Sequence, residues 1–247
     1  MTTEITIPHE TNDTPAYLTV PDNQEQVSSI ILIHEVWGLN EHIKDVARRF
    51  MAEGYMVLAP DLISHTGITE KIDQGIMQEI HNPATRDEAQ KKMREAMTPL
   101  QSPEFGVQTT ERLQECFSFL QNHKNSNGKI SVVGFCFGGT YAWNLAVDQP
   151  ALAAAIPFYG HPPLEEDQLK KISCPVLAFF GEKDERLMAV LPQLETTMDK
   201  LEKNFGAVVY PNTGHAFFND TNKSLYNETA ALDAWAKVLA FLKNVAA

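Results

Sequence analysis

The six residues GFCFGG, Gly134 to Gly139, constrain what this chain can fold into more than any other stretch. They follow the apolar run Ile130-Ser131-Val132-Val133 and lead into a helical-looking segment, Thr140 to Val147. Cys136 therefore falls at a strand-to-helix corner, with Gly134 and Gly138 flanking it as G-x-C-x-G, the spacing of a nucleophile elbow with sulfur in place of oxygen. So tight a corner needs small residues two places to either side, where neighbouring backbone comes close. It turns the central side chain outward at a helix N-terminus, where unpaired N–H groups and the helix dipole favour a thiolate and can hold a developing oxyanion. The alternative is a buried structural cysteine beside a glycine-rich turn. The flanking pattern favours the reactive cysteine.

The rest of the chain supplies strands and helices in alternation. Glu4 to Pro8 and Ala16 to Val20 read as an antiparallel edge pair around the polar turn Glu10 to Asp13. Ser28 to His34 is dense enough to be buried on both faces of a sheet. A helix over Glu41 to Glu53 ends at Gly54, and Tyr55 to Ala59 is the next strand. Leu62 to Gly106 reads as a cap-like, partly helical excursion, in which Thr85-x-x-Glu88 has the form of a capping box. Gln108 to His123 is a helix with Leu113, Cys116, Phe117 and Leu120 on one face, which makes Cys116 a packing residue.

Beyond the elbow, strands are expected over Leu152 to Tyr159, Pro175 to Phe180 and Ala207 to Tyr210. A helix is expected from Leu187 or Met188 to Lys203, with Pro192 in its first turn. A last helix carries Leu225, Leu232, Trp235, Leu239 and Leu242 on one stripe. This alternation predicts one α/β domain over residues 1–247, with a mostly parallel central sheet and helices on both faces. At 247 residues and 43% hydrophobic, the chain can bury a sizeable core.

A formal charge of -12 and a pI near 5.1 argue against nucleic acid or an anionic membrane as partner. Three cysteines without a secretory signal point to a soluble protein of a reducing cytoplasm. The histidines His42, His65, His81 and His123 are scattered, and no phosphate- or dinucleotide-binding glycine motif is present, so neither metal nor cofactor is expected.

Three groups lie just beyond strand ends: Cys136, Asp184 and His215. That edge is where open α/β sheets bind ligands. Nucleophile, acid, histidine is also the chain order of α/β hydrolases. Histidine exchanges protons near neutral pH, and a carboxylate fixes its tautomer and stabilises the imidazolium.

With those residues in place, the sequence resembles the dienelactone hydrolase family, whose type activity is carboxymethylenebutenolidase. The resemblance runs from SSIILIHEVWGLN through YMVLAPDL, KISVVGFCFGG and FFGEKD to NTGHAFF, and GFCFGG together with His34-Glu35 is its specific signature. It implies the α/β-hydrolase fold, with nucleophile, acid and histidine at Cys136, Asp184 and His215. It implies that Glu35 interacts with the resting thiol and helps generate the thiolate when substrate binds. The matching oxyanion donors are the backbone N–H groups of Val36 and Phe137. Trp37 lines the pocket or packs as a core aromatic. Tyr159 and His161, with His34 and Asp61, are expected as pocket lining or satisfied polar structure.

The family's clamp of two arginines for a substrate carboxylate is matched in part. Arg94 is the first candidate and Arg86 the second, a solvated helix position being the other reading of each. The second arginine is expected shortly after the histidine, where this chain has Asn219. The resemblance thus implies a hydrolase of a small ester or lactone acting through a cysteine acyl-enzyme. The alternatives are a broader carboxylesterase or thioesterase, or a hydrolase-fold binding protein without useful turnover.

Overall fold

Apolar runs too dense to show an alternating pattern form the middle of the sheet, because a strand covered on both faces has no solvent side. The computed structural model describes residues 1–22, 26–72, 75–82 and 84–246. Eight strands are present among them: β1 Thr2–Ile7, β2 Thr14–Thr19, β3 Val27–Ile33, β4 Met56–Pro60, β5 Ser126–Phe135, β6 Ala154–Phe158, β7 Val176–Gly181 and β8 Phe205–Tyr210. They form one sheet in the order β1-β2-β4-β3-β5-β6-β7-β8. The β1–β2 and β2–β4 pairs are antiparallel and all the others parallel. Residues Ile30 to Ile33 of β3 and Met56 to Ala59 of β4 are fully buried, so both faces of the sheet centre are covered.

Nine helices accompany these strands among the described residues: α1 Glu41–Ala52, α2 Ile68–Lys71, α3 Ile76–His81, α4 Arg86–Met97, α5 Pro103–Gln121, α6 Phe137–Asp148, α7 Glu166–Leu169, α8 Glu185–Lys200 and α9 Glu228–Ala246. Strand β3 feeds β4 on one side, and the chain then returns to place β5 on the other. The C-terminal ends of β3 and β5 therefore lie side by side where the winding direction reverses, which is where a crevice opens in such sheets.

Four local expectations change. Thr85 does not cap α4 with its side chain; its hydroxyl donates to the Glu79 carbonyl at 2.7 Å, tying the start of α4 to α3. Helix α5 starts five residues earlier than expected, because Ser102 accepts a hydrogen bond from Phe105 N–H and Pro103 occupies the first turn. Helix α8 starts at Glu185, so Pro192 sits inside it and not in its first turn. In α9 the buried face is Ala230, Ala231, Ala234, Val238 and Leu242, while Leu232 is 62% exposed and Leu225 precedes the helix. Three of these five residues are alanines, and of the expected leucines only Leu242 is among them. Between β4 and α5, residues 73–74 and 83 lie outside the described residues, as does the side chain of His81.

Candidate active site

Cys136 follows the last residue of β5 and precedes the first of α6, with φ 56° and ψ -111°. A side-chain-bearing residue held there costs about 1–3 kcal/mol, so its surroundings must impose the conformation. They do so from both sides. Cys136 N–H donates to the Phe158 carbonyl at 3.0 Å, Thr140 N–H to the Cys136 carbonyl at 3.1 Å, and Gly138 N–H to the His34 carbonyl at 3.1 Å. A Cβ on Gly134 would run into the Gly138 carbonyl, and one on Gly138 into the carbonyls of Ile33 and His34. The G-x-C-x-G spacing is thus a packing requirement of β3, β5 and α6 at their meeting point.

Asp184 precedes α8 just beyond β7, and His215 lies in the loop after β8, beside Asn212 and Ala216 at φ 56° and 57°. The two loops are joined by a hydrogen bond from Lys183 N–H to the Thr213 carbonyl at 2.8 Å. His215 Nδ1 donates to Asp184 Oδ2 at 2.6 Å. Burial works to lower the His215 pKa, but hydrogen bonds to Asp184 and Cys136, with their charges, raise it well above the ordinary histidine value. Burial likewise works to raise the Asp184 pKa, yet the His215 bond and charge hold it below the usual carboxylate value. The His215 side chain is 42% exposed and that of Asp184 11%, so the pair is anchored at the acid and open at the imidazole.

Glu35 is buried, and both carboxylate oxygens are occupied. Asn219 Nδ2 donates to Oε2 at 2.5 Å and Tyr159 Oη to Oε1 at 3.3 Å. Thr221 donates to Asn219 Oδ1 from its N–H at 3.1 Å and its hydroxyl at 2.6 Å, which fixes the amide orientation. Burial pushes the Glu35 pKa up, against the Asn219 bond, the His215 charge and the Tyr159 bond. Among the described residues the hydrogen bonds of Glu35 go to Asn219 and Tyr159, and Cys136 lies close enough to His215 to raise the imidazole pKa. Asn219, identified in the sequence by the arginine it replaces, holds Glu35. That pairing spans 184 positions, and the only hint of it in the sequence is a polar residue closing the apolar run Ala216-Phe217-Phe218.

Tyr159 is buried at φ 38°, with its ring centroid 5.0 Å from that of His215. The N–H groups of Val36 and Phe137 reach no acceptor among the described residues and remain available to a ligand. Trp37 is half-buried and packs against the core. Arg94 is exposed on α4 with no side-chain partner among the described residues, and the exposed Arg86 donates from Nε to the Ile80 carbonyl at 3.2 Å. Among the described residues no contact joins either arginine to Cys136, Asp184 or His215. Asp61 caps the turn that follows β4 by accepting from Ile63 and Ser64 N–H. His161 is exposed and donates its N–H to Thr140 Oγ1. Burial raises the Cys116 thiol to about 12 and the Cys174 thiol to about 11, which keeps both protonated as core side chains.

Residues 14–246 match the model of the dienelactone hydrolase family. This chain belongs to the dienelactone hydrolase family. Its relatives within the family include a protein of Saccharolobus solfataricus provisionally named carboxymethylenebutenolidase, 34% identical over 244 residues and covering 93% of each chain. A Synechocystis protein of the same provisional name is 31% identical, over 96% of this chain and 94% of its own. A crystal structure of a provisionally named dienelactone hydrolase from Klebsiella pneumoniae superposes with a TM-score of 0.77 at 27% identity, covering 97% of both chains. The family places this chain among the carboxylic ester hydrolases and its fold among the α/β hydrolases. No helix among the described residues is long and apolar enough to cross a membrane.

Proposed function

We propose that this member of the family hydrolyses a small ester or lactone through a thioester on Cys136, with a substrate whose acyl portion is uncharged. The observation that carries the reading is the elbow itself: Cys136 held at positive φ at the head of α6 and close enough to His215 to raise the imidazole pKa, with His215 in turn bound to Asp184 at 2.6 Å. His215 takes the thiol proton at Nε2 as sulfur attacks the carbonyl carbon, and the oxyanion that forms accepts from the Val36 and Phe137 N–H groups. The tetrahedral intermediate collapses, and the departing alkoxide takes the proton from His215. Water then gives a proton to His215 and attacks the thioester. The acid is released, and the proton returns to sulfur.

In this reading Glu35 assists thiolate formation only after exchanging its bond to Asn219 or Tyr159. The uncharged substrate follows from the same pairing. Asn219 carries no charge and is engaged with Glu35, while Arg94 is exposed on α4. A substrate carboxylate brought into this buried site would lose its hydration without a paired cation.

Replacing Cys136 by serine tests the mechanism. The variant keeps the elbow and both amide donors but must deprotonate a far weaker acid, so kcat should fall by about two orders of magnitude with KM little changed. Full turnover by Cys136→Ser would contradict a thiol mechanism.

A further inference from the structure

His34 is fully buried, and every polar atom of the residue beyond its own N–H has a partner that bears on the oxyanion site. Its Nε2 accepts from Leu62 N–H at 3.0 Å, so that nitrogen carries no proton. Its Nδ1 lies 2.6 Å from the Glu35 carbonyl, which can only accept, so Nδ1 carries the proton and donates. The ring is thereby a neutral imidazole of one tautomer. Burial lowers its pKa against the charge of Asp61, in keeping with that state. The His34 carbonyl accepts from Gly138 N–H, and its ring stacks on that of Phe137 at 5.7 Å and 9°.

The Glu35 carbonyl and the Val36 N–H belong to one peptide unit. That unit is planar, and in the trans form its carbonyl and N–H point in opposite directions. Two donors fix the carbonyl, His34 Nδ1–H and Gly38 N–H at 3.2 Å. They therefore fix the opposite direction, along which Val36 N–H points. The second donor, Phe137 N–H, belongs to the residue on whose ring His34 stacks. One side chain thus sets the first donor and packs against the residue that carries the second.

We propose that His34 is the positioning residue of the oxyanion hole, aiming Val36 N–H through the hydrogen bond from its Nδ1 to the Glu35 carbonyl. The inference rests on the reading in which Cys136 attacks a carbonyl between Val36 and Phe137. Leu62, just beyond β4, becomes part of the same device, since its N–H selects the tautomer.

Three substitutions separate the two ring nitrogens. In His34→Asn an amide N–H lies near the position of Nδ1 and can still reach the Glu35 carbonyl. In His34→Gln the amide oxygen lies near Nε2 and serves Leu62 alone, and His34→Leu serves neither. With a neutral chromogenic ester, His34→Gln and His34→Leu should lose at least about tenfold in kcat with KM nearly unchanged, approaching the roughly 100-fold loss of a missing oxyanion donor. His34→Asn should recover most of that loss. A trifluoromethyl ketone, which forms a tetrahedral adduct with a thiolate, should weaken in step with kcat/KM across the series, while the affinity of the product acid stays level.

Equal activity in all three variants, or equal loss in His34→Asn and His34→Leu, would overturn the inference. Failure of the underlying mechanism looks different, because the wild type would then form no ketone adduct at Cys136, and the inference would fall with it. Should the variants not fold, nitrogen NMR of the wild-type ring decides. Nδ1 protonated and Nε2 bare at neutral pH is the expected state, and the opposite tautomer or an imidazolium overturns the proposal.

Discussion

Cys136 and Glu35 are both held in unfavourable states, one by its backbone and the other by burial, and each is held by neighbours that also shape the site. For Glu35 the consequence is thermodynamic. Burial raises its pKa above the ordinary carboxylate value of 4.5 even though Asn219, Tyr159 and the His215 charge oppose it. A carboxyl whose folded pKa is raised binds more protons in the folded than in the unfolded state. It therefore subtracts stability increasingly as pH rises from the unfolded value through the folded one. Glu35→Gln removes that titration while retaining an acceptor for Asn219. The variant should gain stability relative to wild type as pH increases from about 4.5, with the difference levelling off above the folded pKa. Denaturant melts of both proteins across that range would show it. A difference that stays constant or shrinks with rising pH would mean that Glu35 is favourably ionised in the fold.

At the scale of elements, what was legible in the sequence was what each segment decides for itself. The dense runs of β3 and β4, the glycine spacing about Cys136, and the Leu113-Cys116-Phe117-Leu120 face of α5 were all readable, because local sterics and periodicity determine them. Expectations changed where a partner outside the expected segment decides. Thr85 gives up its capping role because the Glu79 carbonyl accepts its hydroxyl. A charged helix residue carries no local mark of burial, yet Arg112 is buried and donates to the Asn12 carbonyl at 2.8 Å and the Asn12 side chain at 2.7 Å in the β1–β2 turn. The buried face of α9 runs through its alanines to Leu242 and leaves Leu232 exposed. This last point is measurable. Leu242→Ala should cost about 2–5 kcal/mol and Leu232→Ala within about 0.5 kcal/mol, and comparable losses would restore the leucine stripe as the buried face.

Across the whole molecule, the reversal of winding between β3 and β5 gathers the loop after β3, the elbow after β5 and the loops after β6, β7 and β8 along one sheet edge. That Cys136, Asp184 and His215 share this edge could be anticipated because each follows a recognisable strand end. The surroundings of Glu35 could not, since a carboxylate and an amide 184 residues apart carry no local mark of their pairing. The net charge of -12 gives the molecule as a whole a field that repels anions. If no local cation offsets it, kcat/KM for a carboxylated lactone should rise as salt increases from about 0.01 M to 0.15 M, where the screening length falls from about 30 Å to 8 Å. A neutral ester should change little. A preference for the carboxylated substrate that weakens with salt would instead reveal a cationic clamp.

The central claim is that catalysis passes through a thioester on Cys136. Intact-mass spectrometry of protein quenched in acid during turnover of a slowly hydrolysed ester tests it most directly. The account predicts one acyl group per chain, mapped by digestion to Cys136, that disappears as substrate is exhausted and is absent from Cys136→Ala along with activity. An acyl group on another residue, or turnover that persists in Cys136→Ala, would contradict it.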